Sequence, residues 1–199
     1  MTNQPDPIQS QIITARRNQI LAAATQVFAQ KGFHQTTIRD IARQAGIADG
    51  TIYNYFANKN ELLIAILDRL NESEKRPSEL GAAAGQDFRT FFVTYLQHRL
   101  ELLLANRQLF QALLPELLVN PLLHRRYFEQ VIAPSLNLGE QFFQGQMAAG
   151  HLSPADAQLL TRTMVGTILG LLLMDLLGDE QLSQRWAELP NFLATIFVK

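Results

Sequence analysis

The chain has 199 residues, 47% of them hydrophobic, which is enough for one large domain or a small head on a larger body. With no cysteine it excludes disulfides, thiolate metal sites and cysteine nucleophiles, and a reducing, cytoplasmic setting is expected. The formal net charge of −1 is unpromising for contact with a polyanion, so the distribution of charge matters more than the total.

Residues 1–12 are polar, contain Pro5 and Pro7 and hold no apolar signal core, and are expected to form a disordered arm. A first helix is predicted over 12–31, with Ile20, Leu21, Ala24, Val27 and Phe28 as its inner face.

The stretch Thr36 to Lys59, TTIRDIARQAGIADGTIYNYFANK, is the most informative in the chain. Thr37 followed three residues later by Asp40 forms a helix-start signature. Ile38, Ile41, Ala42 and Ala45 then recur at i, i+3, i+4 and i+7, leaving Arg39 and Arg43 facing solvent or a polyanion. Gly46 supplies the backbone freedom that a tight turn needs. A second short helix is predicted over 49–56, pinned inward by Ile52 and Phe56. Its outward set is Asp49, Gly50, Thr51, Tyr53, Asn54 and Tyr55. Hydroxyls there can donate to phosphate oxygens, and the Asn54 amide can address a base edge in two directions. Asn58 with Glu61 reads as the cap of a further helix over 59–71, with Leu62, Leu63, Ile66 and Leu70 inward. Lys59 then lies against the positive end of a helix dipole, a position that a bound phosphate would make favourable.

The order Ile20-Leu21-x-Ala23-Ala24, Phe28, Gly32-Phe33, Thr37-Ile38-Arg39-Asp40-Ile41-Ala42, Ala45-Gly46-Ile47-Ala48, Gly50-Thr51-Ile52-Tyr53, Tyr55-Phe56 and Lys59 closely resembles the TetR family of transcriptional regulators. The resemblance spans about residues 13–73, with the helix-turn-helix at about 36–55. It implies an all-α fold with an N-terminal three-helix DNA-binding head and a larger helical ligand-binding and dimerisation domain, here 74–199. It further implies phosphate contacts at Thr37, Thr51, Tyr53 and Lys59, and base contacts near Arg39, Asp49, Gly50, Asn54 and Tyr55. Asp49, an acid on a face meant for DNA, either accepts from a cytosine amino group or caps its helix, and the cap is the preferred reading. Arg16 and Arg17 are either a backbone or minor-groove contact or a solvated helix start. Residues 1–59 carry six Lys/Arg against three acids and the remainder eleven against fifteen, so the head can meet phosphate while the body avoids it.

Asn71 to Gly85 turns to Glu, Ser, Pro, Gly and Ala and reads as a loose junction. Helices are predicted over 86–105, 107–119, 121–149, 154–177 and 181–197, with a kink or break at Pro134 and an N-terminal signature in Ser153-Pro154-x-Asp156. Met164 to Leu177 is apolar nearly all round, but at about 14 residues and with Asp175 inside it falls short of a membrane span, and no membrane association is expected. A helix apolar on every face must be covered on two sides, either by a second copy on one of them, with Gly166 and Gly170 permitting close approach, or entirely within its own domain. The resemblance implies the former, a homodimer through the last two helices, with Val165, Leu169, Leu172, Leu176, Trp186 and Phe192 as interface candidates.

Phe88, Phe91, Phe92 and Tyr95 share one helix face, and Phe110, Tyr127, Phe128, Phe142 and Phe143 lie on others. These rings either fill a core or wall an apolar pocket. The pocket candidates are Phe88, Phe92, Tyr95, Phe110 and Phe128, with His98 and His124 to orient a polar group. No Ser-His-Asp set, metal-spaced cluster, phosphate loop or close carboxylate pair stands out, so neither an enzyme nor a cofactor or metal is expected. The expectation is a homodimeric repressor on a palindromic double-stranded DNA operator, released by a small apolar effector of unknown identity. The alternatives are a constitutive DNA-binding regulator and one acting through protein contacts.

Overall fold

The computed structural model describes residues 7–82 and 87–198, and these are helical with no strand among them. The helices are α1 (Pro7–Gln35), α2 (Ile38–Ala45), α3 (Asp49–Tyr53), α4 (Lys59–Asn71), α5 (Arg76–Gly81), α6 (Phe88–Ala105), α7 (Arg107–Val119), α8 (Pro121–Tyr127), α9 (Ala133–Ala148), α10 (Ala157–Leu176), α11 (Glu180–Gln184) and α12 (Leu189–Phe197). The chain divides into two compact units. Met1–Arg69 groups with Gln108–Tyr127, and Leu70–Arg107 groups with Phe128–Lys199.

In the first unit the face expected of the first helix is buried throughout, together with Ile41, Ala42, Ala45, Ile52 and Phe56. Thr37 caps α2 with a complete reciprocal box, and Gly46 closes it in the left-handed region (φ 66). Part of the expected arm is helical. Residues 7–12 are the opening turns of α1, and residues 1–6 lie outside the described ones. The helix runs on to Gln35 through a break at Gly32 (φ 74, ψ 166). Helix α3 ends at Tyr53, three residues before the expected end, and the amides of Tyr55 and Phe56 both close on Ile52 O.

In the second unit the junction contains α5, and Glu72 adopts a left-handed conformation (φ 52) just past α4. Pro134 does interrupt the helix over 121–149. A π-helical turn, Phe128–Ile132, widens the ladder before it, so the missing N–H falls in the first turn of α9. Asp156, not Ser153, is the cap of α10 and accepts from the amides of Gln158 and Leu159. The last predicted helix is broken into α11, a 3-10 turn (Trp186–Glu188) and α12, which restarts with Pro190 in its first turn. The interior is built on Phe88, Phe92, Leu96, Phe143, Leu193 and Ala194, with Met164, Ile168 and Leu171 of α10 packed against it. Helices α9 and α10 approach so closely that a Cβ on Gly139 would lie 2.7 Å from the methyl of buried Thr161.

Helix α10 is 20 residues long with mean hydropathy 1.6, long and apolar enough to cross a membrane, so the length argument made from 14 residues does not hold. Its inner side, however, packs on α6 and α9, and Asp175 is buried with Arg107 Nε 2.7 Å away and the Ser183 hydroxyl donating at 2.8 Å. The paired carboxylate and the aromatic core tie one side of the helix to its own unit, while only 17% of its apolar window is buried and its other side is left uncovered.

Candidate nucleic-acid interface

The helix-turn-helix face is held from behind by side chains that reach the open carbonyl ends of its helices. Gln19 Nε2 donates to Ala45 O at the end of α2 (2.6 Å). Arg17 Nη1 donates to Tyr55 O just beyond α3 (2.9 Å), with its guanidinium 4.4 Å from the centre of the Phe56 ring. Of the two readings open for Arg17, the solvated helix start does not hold: its guanidinium ties α1 to the chain just beyond α3. Arg16 is half-buried and donates to Gln19 Oε1, one turn further along α1.

Lys59 is likewise turned inward. Its ammonium donates to Phe33 O (2.6 Å), Thr36 O (3.0 Å) and His34 O (3.3 Å), and lies 4.4 Å from the Phe33 ring centre. All three donors meet the negative end of α1, which explains a lysine at the start of α4 without any phosphate. Burial pushes its pKa below the ordinary lysine value, against the pull of the Glu116 carboxylate. Glu116 itself is buried on α7, in the same unit, and its Oε1 is 2.7 Å from His34 Nε2. Asn58 does cap α4, accepting from Glu61 N, while the Glu61 carboxylate accepts from Ala57 N and not from the cap residue.

What faces outward is therefore a narrower set. Tyr53 is 57% exposed, and Gly50, Asn54, Arg39 and Arg43 are exposed around it. Thr51 and Tyr55 are half-buried at the edge, and Thr37 is exposed with its hydroxyl donating to Asp40 Oδ2. Asp40 is held well below the usual carboxylate range, first by Lys31 at 2.8 Å and then by Thr37. Asp49 does not cap α3, since the cap position is Ala48 and no side chain bonds there. Instead its Oδ2 accepts from Arg39 Nε at 3.0 Å, joining the start of α3 to α2 across the outer face. Sequence reasoning missed this pair because the two residues are ten apart on different helices.

Residues 20–66 match the model of the tetR family of bacterial regulatory proteins. Over those residues the head is similar to the heads of tetR-family regulatory proteins. It is 54% identical over 48 residues to the fatty acid metabolism regulator protein of Bacillus subtilis, a match that covers 24% of this chain and 25% of that one. It is 42% identical over 55 residues to the transcriptional repressor KstR2 of Mycobacterium tuberculosis, 28% of each chain. The chain thus spans about a quarter of the length of the curated relatives it matches. Over 92% of its length it shares a fold, with a TM-score of 0.74 and 24% identity, with 97% of the regulator FadR from Bacillus subtilis solved in complex with stearoyl-CoA.

The aromatic candidates for a pocket are distributed over both units. Phe88 and Phe92 are buried in one cluster with their ring centres 5.8 Å apart, and Tyr95 stacks with Phe91 in another. His98 is exposed, its Nε2 2.7 Å from Glu72 Oε2, so it is a surface partner of the junction. Phe110 and His124 fall in the unit that contains the head, and Phe128 is exposed at the π turn. Glu72, Glu79 and His98 bring ligand atoms within 4.8 Å of one another, but Arg99 at 3.2 Å and Lys75 at 3.4 Å already neutralise Glu72.

Two interface candidates are interior. Leu172 and Trp186 are buried in their own unit and are not available to a partner. Leu169 and Phe192 are exposed, and Val165 and Leu176 are half-buried beside them. The exposed apolar residues of α10 are Leu159, Leu169, Leu173 and Met174, with Gly166 and Gly170 bare between them, and Ile196 joins Phe192 on α12. Periodicity could not assign sides on a helix apolar all round, which is why inner and outer residues were mixed.

Proposed function

We propose that the protein is a sequence-specific DNA-binding transcriptional regulator, a homodimeric repressor of a palindromic operator released by an apolar small molecule. The exposed group of Tyr53, Asn54, Gly50 and Arg39 on a braced α2–α3 pair carries this reading. Tyr53, Thr51 and Thr37 are suited to phosphate oxygens, and Asn54 and Arg39 to base edges. Lys59 braces α1 and is left out of the contact set.

One such short helix reads few base pairs, so two copies on two half-sites are needed. The exposed apolar side chains of α10, with Phe192 and Ile196 of α12, support pairing by those helices, since exposed apolar side chains in this number call for a cover. The phenylalanine-rich interior of the second unit, and the stearoyl-CoA bound by the FadR neighbour, favour an effector that carries a long apolar chain.

Selection from a random duplex library at moderate salt tests the DNA reading, with Tyr53→Ala/Asn54→Ala as control. A palindrome enriched by the unaltered protein alone supports it, and no enrichment from a folded protein rejects it. The dimer is tested by sedimentation of Leu173→Glu/Ile196→Glu. Both positions are exposed (52% and 61%), so a folded monomer is expected, and an unchanged dimer would remove this face from consideration. Thermal shift against fatty acids and their CoA esters tests the effector, because a ligand of the native state raises the melting temperature.

A further inference from the structure

The one acid on the outward face of α3 remains unexplained by DNA contact alone. Asp49 opens that helix but leaves its cap position unserved and reaches instead to Arg39 on α2. Both side chains are exposed, 48% and 76%, so the pair adds little to stability. It also places a negative charge where phosphates would approach, which weakens binding to every duplex alike. The geometry of the pair gives it a positive role. Asp49 holds Arg39 by Nε only, and neither terminal Nη group makes a hydrogen bond among the described residues. Those two groups are the fork that binds a pair of acceptors in one plane, the arrangement of guanine O6 and N7 in the major groove.

We infer that Asp49 is a specificity-determining positioning residue: it anchors Arg39 by Nε so that the free guanidinium fork addresses a two-acceptor base edge. The same carboxylate discourages docking on phosphate alone. An arginine fixed on one edge gives up less rotamer freedom on contact, and an acid beside it repels the charged backbone while leaving an uncharged base edge unaffected. Arg43, the nearby basic side chain of α2, lies instead 4.0 Å from Asp40, which is also held by Lys31, so it is not set up as a rival for Asp49.

The inference rests on the α2–α3 face meeting DNA, and the test separates the two. Affinities of the full-length protein for its selected duplex and for a scrambled duplex are measured at one salt concentration. The proteins compared are the unaltered one, Asp49→Asn, Asp49→Glu, Arg39→Ala and the double variant. Asp49→Asn should bind the scrambled duplex more tightly and the selected one no better, lowering the ratio roughly tenfold or more, the scale of one bidentate base contact. The loss should map to one base position in each half-site and vanish in the Arg39→Ala background. Asp49→Glu keeps the charge at the helix start and should recover part of the ratio. Equal shifts for both duplexes, or the same loss without Arg39, overturn the inference and leave DNA binding standing. No preference between duplexes by the unaltered protein overturns both.

Discussion

In the N-terminal unit the open ends of α1, α2 and α3 are closed by Lys59, Gln19 and Arg17, partners 23 to 38 residues away in sequence. The interior of the second unit is instead made largely of rings and aliphatic chains, with Phe88, Phe92 and Phe143 at its centre and polar groups gathered at the Asp175–Arg107 pair and around Glu72 and Arg99. A backbone carbonyl accepts from particular donors at particular distances, whereas an apolar interior accepts many side chains of about the right volume. The difference matches the pattern of likeness to other proteins. Identity of 42–54% is confined to about 50 residues of the head, while over the whole chain the fold is shared at 24%.

The largest effect should come from the second unit, and it should depend on volume and not on identity. Phe92 is 1% exposed, so Phe92→Ala is expected to cost about 3–5 kcal/mol. Phe92→Leu should cost only about 1–2 kcal/mol, because the core can close around a smaller apolar group. The single tryptophan, Trp186, is buried in this unit, so its emission during urea unfolding follows the unit directly. If Leu cost as much as Ala, the ring would be needed as a ring, and the contrast between the two units would fail.

Lys59 is the corresponding test in the head. Lys59→Ala removes three hydrogen bonds from an ammonium to the end of α1 and should cost about 1.5–3 kcal/mol. The far-UV circular dichroism melt should shift accordingly. The salt dependence of DNA binding should not, because no phosphate contact is lost. A slope shallower by about 0.9 for each subunit would mean that the ammonium leaves its carbonyls for a phosphate when DNA binds.

That residue also marks how far the sequence could be read. Helix positions, the Thr37 cap, the Gly46 turn and the buried faces of the head all follow from local spacing, and the structure contains them. Lys59, Arg17 and Asp49 were assigned from their own helices, yet each is tied to another helix at least ten residues away. Spacing within a helix carries no information on such pairings. The same limit applied to α10, where an apolar residue at every turn left the inner side of Leu172 and the outer side of Leu173 indistinguishable. Breaks at Pro134 and Pro190 arise from the absent N–H of proline, and the one at Pro190 was legible in principle, though the last helix was read as continuous.

The smallest expected effect concerns pH and the bond between α1 and α2. Asp40 accepts from Lys31 Nζ at 2.8 Å and from the Thr37 hydroxyl at 2.7 Å, and these lower its pKa from the usual 3.8. A carboxylate whose folded pKa is depressed favours the folded state above its unfolded pKa, and that contribution is lost as the pH falls below it. Asp40→Asn should therefore melt slightly lower than the unaltered protein at neutral pH, with a gap that stays constant down to about pH 5 and narrows below it. Both partners are solvent-accessible, so added salt should shrink the part of the gap due to Lys31 and leave the part due to the Thr37 cap. A gap independent of both pH and salt would mean that the asparagine replaces the carboxylate fully in the capping box. The ion pair would then contribute nothing to the head, and its closure would rest on the carbonyl-directed bonds alone.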